Sequence, residues 1–511
     1  MEKNRFKEAL LDKKEFIYTL ELVPGRGSRG KTQDDILRIA ERAAKSKLVH
    51  AVSVTDNPGG HPALSPDVIG LEISRLGIDP IIHFTCKDKN RNQIESILYS
   101  LDRNGLSNLL VMTGDFPLYG FEGKAKPVFD LDSVQLLHLI SQMNLGLDID
   151  GKAPGGGVRL PPTHFLKGCN VSPFKKYESE VMAQYYRLHK KIETGADFVI
   201  TQLGFDARKF DELLRYLKQC ENIRIPIFGN VYILNLPVAK IMNRHGVPGC
   251  VVTDELLRIY EEEAKAPDKG KTAGLTRAAK LIAILNGIGY DGVHIGGPNL
   301  GFEDVERVIE KSKEFLHNWE EWVHEFSFPQ KDGFYLFEKD QKTGLNTDIL
   351  APKGSRPGKA LGYGIMRLFH RLAFTPEAPL YNPARWFFKK IDGTRLEGPV
   401  TELEYWIKFI SSRCRRCGDC TLLEVAFLCP QSQCPKYLLN GQCGGSVEGW
   451  CEVFPGKKKC IYFRAYNRLK SCGEEESLKE GYTPPRNWEL DQTSSWANYF
   501  LGRDHHSTKI E

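Results

Sequence analysis

The 511-residue sequence has no run of about 18 consecutive apolar residues, so no membrane-spanning helix and no membrane partner are expected. Its first residues, 1–16, lack the apolar core of a secretory signal. Such a chain is expected in the reducing cytoplasm. Neither sign of charge dominates, because 70 Lys and Arg face 65 Asp and Glu, for a net charge of +5. So small an excess argues against nucleic acid as a partner. No internal repeat and no low-complexity tract is present. Apolar residues at 41% and charged residues at 26% are ordinary for a soluble globular protein.

Cysteine is scarce in one part and crowded in another. Cys86, Cys169, Cys220 and Cys250 are scattered through the first half, and the other nine of 13 fall between Cys414 and Cys472. No histidine lies in that interval. Crowded thiols in a reducing compartment point to metal ligands before disulfides.

The first 320 residues alternate apolar β-rich runs with amphipathic stretches. Strands are expected at 16–23, 51–55, 80–85, 108–113, 163–170, 197–203, 223–233 and 289–295. Helices are expected at 33–46, 133–143, 179–194, 207–219, 237–245, 276–286 and 303–319. Thr32 with Asp35 suggests a capping box, and Ser65 before Pro66 an N-cap. Eight β-α units argue for an α/β fold of the (β/α)8 TIM-barrel type over residues 14–320, with an open doubly wound sheet as the alternative. A connector with short helices (321–400), a small cysteine-rich metal-binding domain (401–475) and a polar tail (476–511) complete the expected organisation.

Gly25-Arg-Gly27-Ser-Arg-Gly30 matches G-x-G-x-x-G between a strand and a helix, and Asp56 stands where a ribose-binding acid would. A single such match is a weak signal. The eight-unit count favours a plain βα loop instead.

In a barrel, chemistry collects at the C-terminal ends of the strands. Those ends carry Glu21, Thr55, Asp56, His83, Thr113-Gly114-Asp115, Gly168, Gln202 and His294. Glu21 and Asp115 are two carboxylates on different strands, suited to one raised-pKa acid and one ionised partner. Gln202 suits hydrogen bonding to an amide-like heterocycle. Gly114 and Gly168 would let a flat ligand approach the backbone.

Gly195-Ala-Asp-Phe-Val-Ile-Thr-Gln202, with Val52-Ser-Val-Thr55, His83-Phe-Thr-Cys86 and Thr113-Gly-Asp115-Phe-Pro117, resembles the methylenetetrahydrofolate reductases in order and spacing over residues 15–300. The resemblance implies an FAD-containing barrel that reduces 5,10-methylenetetrahydrofolate to 5-methyltetrahydrofolate. It implies that Glu21 is the general acid, that Asp115 lies near flavin and pterin, and that Gln202 contacts the pterin. Flavin contacts are implied at Thr55, Asp56, His83, Thr113, Gly114, Asp115, Gly168, Ser172, Gln184, Arg187, Lys190 and Lys191. The basic trio Arg187, Lys190 and Lys191 would suit a flavin diphosphate. Thr113 departs from the family, which often has arginine there, and Gly168-Cys-Asn-Val-Ser-Pro173 replaces an aromatic loop. Thr253 and Leu257 stand near later folate contacts but differ in type. These departures leave open NAD(P)H as reductant and another pterin as carrier.

The thiols read Cys414-x2-Cys417-x2-Cys420-x8-Cys429-Pro430, then Cys434, Cys443, Cys451 and Cys460, with Cys472 left over. The first run is similar to bacterial ferredoxin ligation. Eight cysteines would supply up to two four-thiolate iron–sulfur clusters, with zinc as the alternative. Residues 400–475 also resemble the cysteine-rich C-terminal domain found with some methylenetetrahydrofolate reductases. That resemblance implies electrons from a ferredoxin-type donor as well as from NAD(P)H. It also implies a homo-oligomer or a place in a one-carbon enzyme complex. An electron-transfer or scaffold role within such a complex is the alternative to a reductase.

Overall fold

The computed structural model describes residues 4–12, 15–118, 120–149, 157–352, 354–358 and 361–507. Eight parallel strands close into a barrel in chain order: β1 (Ile17–Leu22), β2 (Ala51–Val54), β3 (Asp79–Thr85), β4 (Asn108–Met112), β5 (Leu166–Val171), β6 (Phe198–Leu203), β7 (Ile227–Tyr232) and β8 (Gly292–Gly296). Each strand is buried on both faces, which is why the sequence shows continuous apolar runs. The register pairs Glu21 with Ser53 and Thr19 with His294, so the polar residues of neighbouring strands meet at one end of the barrel.

The opposite end is closed by a helix the sequence reading did not anticipate, Arg5–Asp12. It has only eight residues, too few for its periodicity to stand out. Phe6 is fully buried and meets Phe198 edge-on at 5.4 Å. Its backbone N–H donates to Asp79 Oδ2 at 2.8 Å. The expected barrel start at residue 14 lies outside the described residues. Phe198 also corrects the reading of Gly168. A Cβ on Gly168 would lie 2.3 Å from that ring, so this glycine makes room for core packing and not for a ligand.

Other expectations shift for local reasons. The helix after β1 runs Lys31–Ser46, with Gly30 at its N-cap (φ 123°) and no side-chain cap. The turn at Gly30 starts the helix early and leaves Thr32 inside the first turn, so the expected capping box does not form. Gln33 Nε2 donates to the carbonyls of Gly25 and Gly27. The Gly25–Gly30 segment is therefore a βα loop tied to its own helix, and the dinucleotide reading falls with the closed barrel. Helix Asp254–Glu263 was not anticipated, and the Thr253 hydroxyl serves as its N-cap.

After the barrel, Phe337–Lys339 and Asn346–Leu350 form an antiparallel pair. Helices follow at Leu361–Ala373, Tyr381–Ile391 and Glu397–Ser412. Residues 414–460 contain little regular structure and lean on the barrel. Val425, Leu428, Leu438, Tyr462 and Tyr466 share one buried cluster with barrel residues. Helix Ile461–Lys470 packs on helix Glu178–Glu193, where Tyr466 OH donates to Glu178 at 2.9 Å. The tail returns across both parts. Thr483 N–H donates to Asn440 Oδ1 at 2.8 Å, and helix Ser495–Phe500 stacks Phe500 on Phe388 at 5.4 Å. Residues 508–511 of the expected tail lie outside the described residues. No described helix is long and apolar enough to cross a membrane.

Replacing Phe6 with Ala empties the plug beneath Phe198. The expected loss is about 3–5 kcal/mol of stability, read as a lower urea midpoint. An unchanged midpoint would show that the helix does not seal the barrel.

Candidate active site and thiolate centres

The C-terminal ends of the strands open into a cleft of about 1040 Å³. Every expected catalytic, flavin-binding or substrate-binding residue lines it except Gly168 and Lys190; His294 is not part of the lining, and of the expected thiol ligands Cys443 is. Gly168 faces the inner core, and Lys190 is buried within its helix. Thr253 and Leu257 also lie outside the cleft lining.

At the cleft floor, one ligand atom each of Glu21, His83 and His294 fall within 4.8 Å of one another. His294 is held by Thr19 Oγ1 at 2.8 Å from Nδ1, and its Nε2 lies 3.8 Å from Glu21 Oε2. Burial alone would raise the Glu21 carboxyl, but its hydrogen bond to His294 and the electrostatic pull of that ring outweigh burial and hold the group below its ordinary value. This corrects the expected raised-pKa acid: in the ligand-free cleft Glu21 is an ionised partner of His294. Burial drives His83 the other way, down to about 4, so it is neutral near pH 7.

Three buried polar atoms at expected flavin positions have no hydrogen-bond partner among the described residues: Thr55 Oγ1, His83 Nε2 and Ser172 Oγ. Such orphans are costly unless a ligand satisfies them. Donors and acceptors of this kind around one cleft fit a polar, planar heterocycle. Gly114 adopts φ 88°, and a Cβ there would lie 2.9 Å from Thr85 Cβ, so the turn before Asp115 needs glycine. Asp115 Oδ2 accepts from Gly59 N–H at 2.9 Å. Asp56 accepts from Thr85 Oγ1 at 2.7 Å and pairs with Lys89 at 2.6 Å. It works as an ionised brace between loops.

The basic residues divide their work. Arg187 Nη2 donates to Thr113 Oγ1 at 2.9 Å and Ser133 Oγ at 3.1 Å. A guanidinium from the helix after β5 thus stands beside Thr113. Lys191 Nζ donates to Asn170 Oδ1 at 2.8 Å, and burial lowers it to about 8. Gln184 Nε2 donates to the carbonyls of Gln442 and Cys443, each at 3.0 Å.

That last contact exposes what the sequence reading missed. The cysteine-rich segment forms a wall of the cleft through Lys436, Gln442, Cys443, Gly444, Gly445 and Glu452. Lys436 is buried, pairs with Glu452 and donates to Gly114 O at 2.7 Å. Lys87, from the barrel side, is buried too and donates to Asp56 O at 2.7 Å. Only its place one residue after His83–Cys86 hinted at Lys87. Nothing in sequence spacing could place Lys436, more than 300 positions away, beside Gly114.

The eight expected thiols form two sets. Cys414, Cys417, Cys420 and Cys429 line one small cavity. Cys434, Cys443, Cys451 and Cys460 feel one another's charge around a second point. Burial, reinforced by neighbouring sulfurs, pushes Cys417 and Cys434 up to about 12. Thiols so placed ionise when a metal binds them. Cations already face the first set: Arg486 Nη1 lies 2.9 Å from Cys417 Sγ and Lys408 Nζ 3.1 Å from Cys420 Sγ. Among the described residues, no three of the eight sulfurs lie within 4.8 Å of one another. Both sets fit a metal centre, and Cys443 belongs to the second set and to the cleft wall at once.

Replacing His294 with Asn removes the main partner that holds Glu21 down. The Glu21 carboxyl midpoint, followed by infrared titration of the full chain, should rise. An unchanged midpoint would show that His294 does not govern it.

A family model described as methylenetetrahydrofolate reductase matches residues 5–305, and one described as the methylene-tetrahydrofolate reductase C terminal matches residues 394–489. A probable methylenetetrahydrofolate reductase (NADPH) of Caenorhabditis elegans is 25% identical over 229 residues, 43% of this chain and 30% of the relative. Methylenetetrahydrofolate reductase (NADH) 1 of Zea mays is 24% identical over 221 residues, 40% of this chain and 34% of the relative. The 5,10-methylenetetrahydrofolate reductase of Pectobacterium carotovorum is 23% identical over 221 residues, 43% of this chain and 65% of the relative. The chain therefore spans about a third of the length of the first two relatives and somewhat less than two thirds of the third. With the barrel match covering more than half of its residues, the chain belongs to the methylenetetrahydrofolate reductase family.

Proposed function

We propose that the chain reduces 5,10-methylenetetrahydrofolate to 5-methyltetrahydrofolate in the barrel-mouth cleft, with FAD as its flavin. The observation that carries this reading is the convergence of Glu21, Asp115 and Gln202 with the unpartnered atoms of Thr55, His83 and Ser172 in one cleft of a family member. When bound, the flavin supplies the hydride that turns the one-carbon unit into a methyl group. Thr55, His83, Ser172 and Gly114 would hold its ring, and Arg187 and Lys191 would face its anionic part.

The chain's own residues manage the proton and the pose. Glu21 delivers a proton to N10 of the folate, and the five-membered ring opens to an iminium ion. Its depressed pKa leaves the carboxyl ionised before substrate enters, so it takes up its proton from solvent as the substrate binds. Substrate binding expels water, and desolvation then pushes the carboxyl up toward the value an acid needs. Gln202 presents an amide to the pterin edge. Asp115, fixed by the Gly59 amide, keeps a negative charge near the cationic iminium.

For the electron source we favour iron–sulfur centres at both thiol sets, fed by a ferredoxin-type donor, over direct reduction by NAD(P)H. The ferredoxin-like run Cys414-x2-Cys417-x2-Cys420 supports clusters over zinc. Cys443 in the cleft wall supports a short path from the second set to the flavin.

Glu21→Gln should keep flavin bound and reducible while folate turnover falls by about 100-fold or more, in rapid-mixing assays of the two half-reactions. Near-normal folate turnover would remove Glu21 from the acid role.

A further inference from the structure

Away from the cleft and the thiols, the chain end folds back onto the loop of the first thiol set. His506 Nε2 lies 3.0 Å and His505 Nε2 3.4 Å from the same oxygen, Glu424 Oε1. These three ligand atoms lie within 4.8 Å of one another. The other nitrogen of each ring meets a carboxylate: His505 Nδ1 lies 2.5 Å from Asp419 Oδ1, and His506 Nδ1 lies 3.1 Å from Asp504 Oδ2. Asp419, Asp504 and His505 are buried, and Glu424 and His506 nearly so.

We propose that Glu424, His505 and His506 bind one divalent first-row transition-metal ion of the class to which zinc and cobalt belong. Two imidazoles and a carboxylate are a recurrent ligand set for such ions. A ligating histidine characteristically donates its second N–H to a carboxylate, which fixes the tautomer and aims the lone pair at the metal. Asp419 and Asp504 do this for both rings here. The ring packing carries the same sense. The two ring centroids sit 4.0 Å apart, with both Nε2 atoms turned toward Glu424 Oε1.

The site is distinct from the thiol sets in ligand chemistry, being all nitrogen and oxygen. Its role is structural. Asp419 lies between Cys417 and Cys420, so an ion here pins residues 504–506 to the loop that carries the first set. His506 and Asp504 also form part of the wall of an apolar cavity of about 710 Å³ that reaches Cys420.

The test uses the full chain, purified anaerobically and incubated with zinc. Wild type should take up one zinc equivalent whose X-ray absorption edge shows nitrogen and oxygen neighbours with imidazole scattering. His506→Ala should lose that equivalent, and Asp504→Asn should bind it about 10–100-fold more weakly, with thiol-bound metal content unchanged in both. No zinc uptake by wild type, sulfur-only ligation at the zinc edge, or unchanged affinity in both variants would overturn the proposal. Should His506→Ala fail to fold, the wild-type edge and Asp504→Asn decide it.

Discussion

Everything at the barrel mouth depends on how residues 439–446 are held there. This stretch is irregular, so its backbone groups cannot pair within a helix or sheet, and burial makes pairing obligatory. Barrel side chains supply the partners. Asp132 Oδ2 accepts from the backbone amides of Leu439 and Asn440. Gln184 donates to Gln442 and Cys443. Lys175 Nζ donates to the carbonyls of Gly444 and Ser446, and Ser446 Oγ donates to Glu180 at 2.7 Å. Gly441 keeps the approach close: a Cβ there would meet the Arg187 side chain at 3.0 Å. The cleft, the second thiol set and the orientation of Arg187 are consequences of this one seam.

The electrostatics of the cleft follow from unequal burial around a single carboxylate. Two histidines stand near Glu21 but do different work. His83, desolvated and with its Nε2 unpaired among the described residues, is an uncharged wall. His294, braced by Thr19, faces the carboxylate and hydrogen-bonds to it. On the other rim, Lys436 brings a buried cation beside Gly114 and Asp115 only because Glu452 accompanies it. A cleft with paired charges can bind a polar heterocycle and an anionic substrate tail without leaving a lone charge in a dry site.

The barrel was legible because parallel strands buried on both faces leave apolar runs that survive in any single sequence. Their polar ends, Glu21 through His294, were legible for the same reason. Gly168 misled because a glycine at a strand end is compatible with either a ligand or a large neighbour, and Phe198 is 30 positions away. Lys190 misled because helical spacing of basic residues does not tell which buried one reaches the cleft. The Arg5–Asp12 plug was too short to show a period. Lys436, Glu452 and the His505–His506 pair were out of reach, since each acquires its role from a long-range fold-back. The thiol pairing into 414–429 and 434–460 sets, by contrast, follows chain order.

The central claim is that a flavin in the barrel mouth draws electrons through thiolate-held iron centres packed against it. The most direct measurement is the absorbance spectrum of the anaerobically purified full chain, with flavin, iron and acid-labile sulfide determined on the same sample. The account predicts flavin bands over broad iron–sulfur absorption, with iron and sulfide present in comparable amounts. A flavin-free preparation, or zinc without iron at the eight thiols, would contradict it.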